Sequence, residues 1–110
     1  MWYAVSRLFE SCHPDHPSEP SIWEESIVLV DAESYDEARQ EAERRGKSDE
    51  HEYISATGEP VQWRFRAIER VFAIDESALE SGTEVFSRFL RAGEAASLLA
   101  NSLADGTDNR

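Results

Sequence analysis

The sequence contains only one cysteine, and its apolar runs are short, with residues 27–30 and 71–74 holding four residues each. A lone Cys12 cannot form a disulfide within the chain and favours a reducing compartment, so we expect a cytoplasmic protein. Four apolar residues fall far short of the roughly 20 of a membrane-spanning helix and of the apolar part of a secretory signal. We therefore expect no membrane association.

Basic residues are also scarce, because 11 Lys and Arg stand against 23 Asp and Glu, and the net charge is −12. Proteins that bind nucleic acid through its phosphates cluster Lys and Arg on one face, so this class is excluded. Fifteen of the acidic residues lie within residues 10–59. An acidic surface of this kind favours solubility and association with a protein partner or another copy of the chain.

With 40% hydrophobic residues, 5 Gly and 4 Pro, the composition is that of a small globular domain. We predict one α+β domain over residues 1–104 and a disordered tail over 105–110. Alternation and turn residues predict the order β-β-α-β-β-β-α, with a largely antiparallel sheet of about five strands and one or two helices packed on one face. The predicted strands cover residues 2–9, 24–32, 52–56, 61–74 and 83–90.

Local signals give three more detailed expectations. The unbroken apolar run in the second strand predicts burial on both faces and a central place in the sheet. Ser34 followed by Glu37 is a capping box that starts a helix, which we expect to end near Arg45 with Gly46 as its C-cap. A second helix is expected from Ala92, and the polar stretch of residues 10–20 is expected to be a loop.

The long strand of residues 61–74 changes its apolar phase midway. The apolar phase is odd through residues 61, 63, 65 and 67, and then even through residues 68, 72 and 74. Because side chains alternate strictly along a strand, such a change requires a bulge or bend. The pattern predicts a bulge near Ala67 and Ile68.

Several of these segments resemble an uncharacterised bacterial family known as domain of unknown function 4288. The resemblance is carried by the phrases WYAV (2–5), EESIVLVDAES (24–34), EAR..A (37–42), HEY (51–53), GEPVQWRF (58–65) and GTEVFSRFL (82–90). It implies a compact bacterial α+β domain with no established activity. No catalytic or binding residue follows from it, and the loop of residues 11–20 and the chain after Arg91 lie outside it.

The densest group of chemically active side chains is Cys12, His13 and His16. Sulfur and imidazole are zinc ligands, so these three residues are candidate metal ligands, although structural zinc usually needs a second pair of Cys or His. Cys12 with His16 or His51 as base is an alternative hypothesis, that of a small hydrolase or thiol enzyme. We expect an inert cysteine, no resident cofactor and no catalytic residue.

Three arginines on the long strand are candidates for anion binding. Arg64, Arg66 and Arg70 share one parity, and guanidinium groups bind carboxylate or phosphate in a bidentate manner. Pairing with neighbouring glutamates is the alternative, and the predicted bulge would move Arg70 to another face.

The leading hypothesis from sequence is therefore a non-enzymatic interaction or accessory module. It combines an acidic surface with a generous supply of aromatic residues, which concentrate binding energy where they are left exposed. Enzymatic activity at Cys12 and ligand binding at Arg64 and Arg66 are the alternatives.

Overall fold

The computed structural model describes residues 1–75, 77 and 79–105. The elements are β1 (Trp2–Cys12), β2 (Trp23–Asp31), α1 (Tyr35–Ser48), β3 (His51–Ile54), β4 (Pro60–Ala73) and α2 (Ala92–Asp105). The four strands form one antiparallel sheet in the order β2-β1-β4-β3. The predicted α+β class and antiparallel sheet are confirmed, with four strands in place of five.

β1 is the centre of the sheet, since it pairs with β2 on one side and β4 on the other. It is longer than predicted because its ladder continues to Cys12, through part of the expected loop. The prediction that β2 is central was wrong, because β2 is an edge strand. Its apolar run is buried on one face only: Val30 is buried, whereas Ile27 and Leu29 are exposed.

Helix α1 packs on the face of the sheet that carries the odd-numbered residues of β1. Tyr3 and Val5 form the core there, together with Val30 of β2 and Ile68 and Val71 of β4. The helix contributes its smallest side chains, Ala38 and Ala42, which are both fully buried. Small residues at the contact let the helix axis lie close to the strands.

A charged side chain, Arg7 of β1, lies in this same layer with its side chain only 6% exposed. Its guanidinium donates to the Asp49 carboxylate at 2.8 Å and to the Ser26 hydroxyl at 2.9 Å, and it stacks over Phe9. A buried cation is tolerated only when it is paired and hydrogen-bonded. Arg7 therefore ties the central strand to β2 and to the residue that ends α1.

The start of α1 confirms the capping signal, because the Ser34 hydroxyl accepts from the Glu37 N–H at 3.2 Å. The predicted end was wrong: the helix continues to Ser48, and Asp49 is its C-cap. Gly46 is not a cap but a buried residue inside the helix, and the Phe65 ring packs where its side chain would be. Close approach to β4, rather than chain reversal, explains this glycine.

The phase change in β4 is confirmed as a local irregularity. The β1–β4 register shifts twice, so that Glu69 and Arg66 are each left without an opposing residue. These bulges flank the predicted position at Ala67 and Ile68. Because there are two, the alternation is restored, and Arg64 and Arg70 end on the same face, opposite Glu10 and Ser6.

Residues 83–90, predicted as a fifth strand, form no strand in the structure. The segment instead crosses the sheet face opposite α1. Phe86 lies 6.2 Å from Phe72 between ring centroids, and Arg70 donates to the backbone carbonyl of Ser87 at 2.8 Å. Side-chain contacts thus replace the ladder that was predicted for this segment.

The predicted second helix begins at Ala92 as expected, and among described residues it has no substantial packing against another element. It includes Asp105, where the predicted tail begins, and residues 106–110 lie outside the described part of the chain. Over the residues that the structure describes, no helix combines the length and apolarity needed to cross a membrane.

The Gly46 contact gives a stability prediction. A Cβ at position 46 would stand 2.5 Å from Phe65 Cδ1, so Gly46→Ala overpacks the helix–sheet contact. We expect a net loss of about 1–2 kcal/mol in urea unfolding, despite a helix-propensity gain of about 1 kcal/mol.

The matched control is Gly93→Ala in α2, where the added methyl meets no atom within 4 Å. This change should leave the protein equally stable or more stable. Adding Phe65→Leu to Gly46→Ala should recover part of the loss. Unchanged stability of Gly46→Ala alone would contradict the proposed role of the contact.

Candidate interaction surface

The outer edge of β2 presents unpaired backbone groups, and its hydrogen-bond phase can be derived from the ends of the β1–β2 ladder. Ala32 donates to the carbonyl of Met1 at 3.0 Å, and Ser11 donates to the carbonyl of Ile22 at 2.8 Å. In an antiparallel pair such bonded residues recur at every second position. The even-numbered residues of β2 therefore bond to β1, and the odd-numbered ones point their N–H and C=O groups outward.

Side chains of the same odd-numbered residues project from the sheet face opposite α1. Three of them are large, apolar and exposed: Trp23 at 53%, Ile27 at 49% and Leu29 at 61%. Trp2 of β1, opposite Asp31, adds a further part-exposed aromatic ring. One strand thus offers open backbone groups and exposed apolar side chains at the same positions.

One of the two acidic residues within this row, Glu25, is paired within the chain. Its carboxylate accepts from the Ser6 hydroxyl at 2.5 Å and pairs with Arg88 at 2.9 Å. Arg88 belongs to the segment that crosses this sheet face. Glu25 therefore does not confront an approaching chain as a bare charge.

A groove runs between the outer edge of β2 and helix α1. Its larger part encloses about 560 Å³ beside Leu29 and Asp31, and a smaller part of about 360 Å³ reaches Arg7. Across the groove, Arg44 and Arg45 both bond to Glu41. The bond from Arg44, and then that from Arg45, lowers the pKa of Glu41. The groove thus leaves open space beside the backbone of β2.

The three candidate arginines do not form a common anion site in the described structure. Arg64 donates to the side chain of Gln62, whereas Arg66 pairs with Glu10 at 2.9 Å and contacts Cys12. Hydrogen bonds from Ser21 and Arg66 hold the pKa of Glu10 below its ordinary value.

Arg70 is bound to the Ser87 carbonyl. It stands opposite Ser6, whereas Arg64 stands opposite Glu10, about 13 Å along the strand at 3.3 Å per residue. Each guanidinium therefore has its own partner, and the three do not converge on a shared centre.

The candidate metal and thiol residues each contact a different group. Cys12 lies beside Arg66, His13 beside the Ser11 hydroxyl, and His16 beside Glu59. The fourth candidate, His51, bonds to the Asp49 carbonyl and stacks on Tyr53. Among the described residues, no three or more His, Cys, Asp or Glu side chains come close enough together to hold a metal ion.

Reasoning from the sequence missed two polar residues that organise this region. Ser11 is buried, and its hydroxyl accepts from the Ile22 N–H at 2.8 Å, which closes the loop between β1 and β2. Arg7 bridges the sheet and α1. Each occupies an odd position of β1, in phase with Val5 and Phe9. A polar residue among the core-facing positions of the strand was the signal in the sequence that could have identified them.

Comparison with known proteins agrees with this architecture but supplies no activity. The family model described as Domain of unknown function (DUF4288) matches residues 2–87, which contain the whole sheet and α1. The chain belongs to this family. No curated protein and no solved structure matches it significantly.

Inside this domain, the loop between β1 and β2 is attached to the β3–β4 turn by one titratable contact. His16 Nε2 lies 2.9 Å from Glu59, and this hydrogen bond, followed by its charge, raises the pKa of His16 above 6.5. Because the folded pKa is the higher one, the contact stabilises the protein fully below the unfolded pKa of about 6.5. The contribution is lost as the pH rises through the folded pKa.

We expect an NMR titration of His16 to give a pKa above 6.5 in the native chain and a lower one, close to 6.5, in Glu59→Gln. The difference in urea stability between the two proteins should be larger at about pH 5.5 than at about pH 8. Glu52→Gln is the control, since its side chain bonds to Gln62 instead. Equal His16 titration in all three proteins would disprove the contact.

Proposed function

We propose that the protein is a non-enzymatic interaction module that binds another polypeptide by strand addition at the outer edge of β2. The observation that carries this proposal is the coincidence, on one nine-residue edge strand, of outward backbone groups with exposed Ile27 and Leu29. A long, apolar, uncovered edge strand pairs readily with a further strand. Native sheets ordinarily cover or charge such an edge.

Strand addition divides recognition between backbone and side chains. The outward N–H and C=O groups of β2 supply affinity for any extended chain, and Ile27 and Leu29 select the side chains beside them. The groove along α1 provides room for the side chains that point the other way. This division suits an adaptor more than an enzyme, because it requires no reacting group.

The partner segment should be extended and apolar at the positions that meet Ile27 and Leu29. Ile27 and Leu29 favour apolar neighbours across the ladder. A net charge of −12, together with the exposed Glu24 at one end of β2, disfavours acidic side chains at those positions of the partner. The acidic surface thereby contributes to the choice of partner.

The partners of the candidate catalytic and ligand-binding residues support the hypothesis of a non-enzymatic module. Cys12 contacts an arginine and His16 contacts a glutamate, and neither contact is that of a nucleophile with its base. We further propose that the protein is bacterial and cytoplasmic and that it works without a resident cofactor. Residues 1–104 form one domain in this proposal.

Selection of short displayed peptides on the immobilised protein tests the proposal. We expect enrichment of sequences with alternating apolar residues whose binding is lost with Ile27→Pro. Proline at this odd position removes one outward N–H while leaving the ladder to β1 intact, and proline is tolerated on edge strands.

The opposite edge of the sheet provides the matched control. Ser55 donates to the Glu59 carbonyl, so even-numbered residues of β3 point outward and Glu52→Pro makes the equivalent change there. Peptides should bind this variant as they bind the native chain. Peptides that bind Ile27→Pro equally well, or no enrichment on a protein that is monomeric, would refute the proposed function.

A further inference from the structure

We propose that the strand added to β2 is the β2 strand of a second copy, antiparallel about a two-fold axis that passes through Val28. This inference rests on the proposed function and names its partner. The resulting dimer joins two four-stranded sheets into one sheet of eight strands, with both α1 helices on the same side. The argument rests on the self-complementarity of a single register.

The outward groups restrict the possible registers. Only odd-numbered residues have free N–H and C=O groups, so they must face odd-numbered residues of the second copy. With the axis at Val28, Ile27 lies opposite Leu29 of the second copy, and Leu29 opposite its Ile27. The two most exposed apolar side chains in the middle of β2 then cover each other twice.

Adjacent registers place charges against this apolar pair. An axis at Ile27 sets Leu29 opposite Glu25 of the second copy, and an axis at Leu29 sets Ile27 opposite its Asp31. Burying a carboxylate beside an aliphatic side chain is unfavourable. The axis at Val28 avoids both, and on the α1 side it sets Val28 against Val28 and Ser26 against Val30.

The chosen register leaves one pair of like charges, Glu25 opposite Asp31 of the second copy. Glu25 already pairs with Arg88 at 2.9 Å, so Asp31 meets an ion pair instead of an isolated carboxylate. On the other face, Glu41 holds Arg44 and Arg45. Glu25 and Glu41 are thus each paired with a cation of their own copy.

The remaining repulsion is long-range, because each copy carries a net charge of −12. Salt screens such repulsion over about 8–10 Å at physiological ionic strength. The dimer should therefore tighten as salt is raised. Arg88→Gln should weaken it, most strongly at low salt, because Glu25 then faces Asp31 of the second copy without its own cation.

A cysteine scan reads the register directly. In a two-fold antiparallel pair only the residue on the axis faces its own copy, so each single cysteine tests one register. In a Cys12→Ser background, Ile27→Cys, Val28→Cys and Leu29→Cys are each treated with diamide, which accepts the two electrons and two protons of the thiols. We expect a disulfide dimer from Val28→Cys, whose Cα atoms would be about 4.5 Å apart.

Light scattering after size exclusion measures the association without a cross-link. The native chain should show twice its mass of 12.5 kDa. Ile27→Pro, and Leu29→Lys as a variant that keeps the backbone intact, should weaken the dimer at least about tenfold. Glu52→Pro on the opposite edge should remain dimeric. Amide exchange should become slower with concentration at the odd positions of β2.

The results separate this inference from the function on which it rests. A monomer at every concentration and salt level that still binds selected peptides would overturn the self-pairing and leave strand addition in place. A monomer that binds none would overturn both. A dimer that survives Ile27→Pro and Leu29→Lys, or that cross-links through position 27 or 29, would overturn the proposed interface.

Discussion

The central position of β1 is the constraint on which the rest of the structure depends. Both edges of this strand are used in ladders, and Val5 on one face and Ser6 on the other are fully buried. A strand enclosed on all sides determines where its neighbours go: β4 extends the sheet toward β3, and β2 ends at the opposite edge. The open edge of β2 is thus a consequence of strand order.

Helix α1 is positioned on this sheet by one polar and one apolar contact near its end. Arg7 bonds to Asp49 just after the last turn, and the Phe65 ring occupies the space beside Gly46. The cation also sits where helix carbonyls carry partial negative charge, which favours a positive group. Together these contacts set the height of the helix above the strands and the width of the groove along β2.

Local signals in the sequence predicted local structure well. Ser34 and Glu37 marked the start of α1 because a cap is satisfied within four residues, and the phase change in β4 revealed its bulges because alternation is strict. The place of β2 in the sheet was not predictable in this way. An apolar run is compatible with burial on both faces or with one exposed face, and only strand order distinguishes them.

The sequence shows which reactive residue types are present, but only the fold shows which group each side chain contacts. Cys12, His13 and His16 are neighbours in sequence, yet each turns to a different group in the fold. Arg64 and Arg70 share a face but stand apart along the strand. Residues 83–90 were predicted as a strand, yet they contact the sheet through Phe86 and Arg88 instead of a ladder.

Because side chains alternate along β2, its even-numbered and odd-numbered residues have different roles. Even-numbered side chains face α1 and their backbone groups bond to β1, whereas substitutions at positions 23, 27 and 29 change what an incoming chain meets. Recognition can therefore diversify without a loss of folding. A library confined to positions 23, 27 and 29 would make this domain a scaffold for engineered binding specificity.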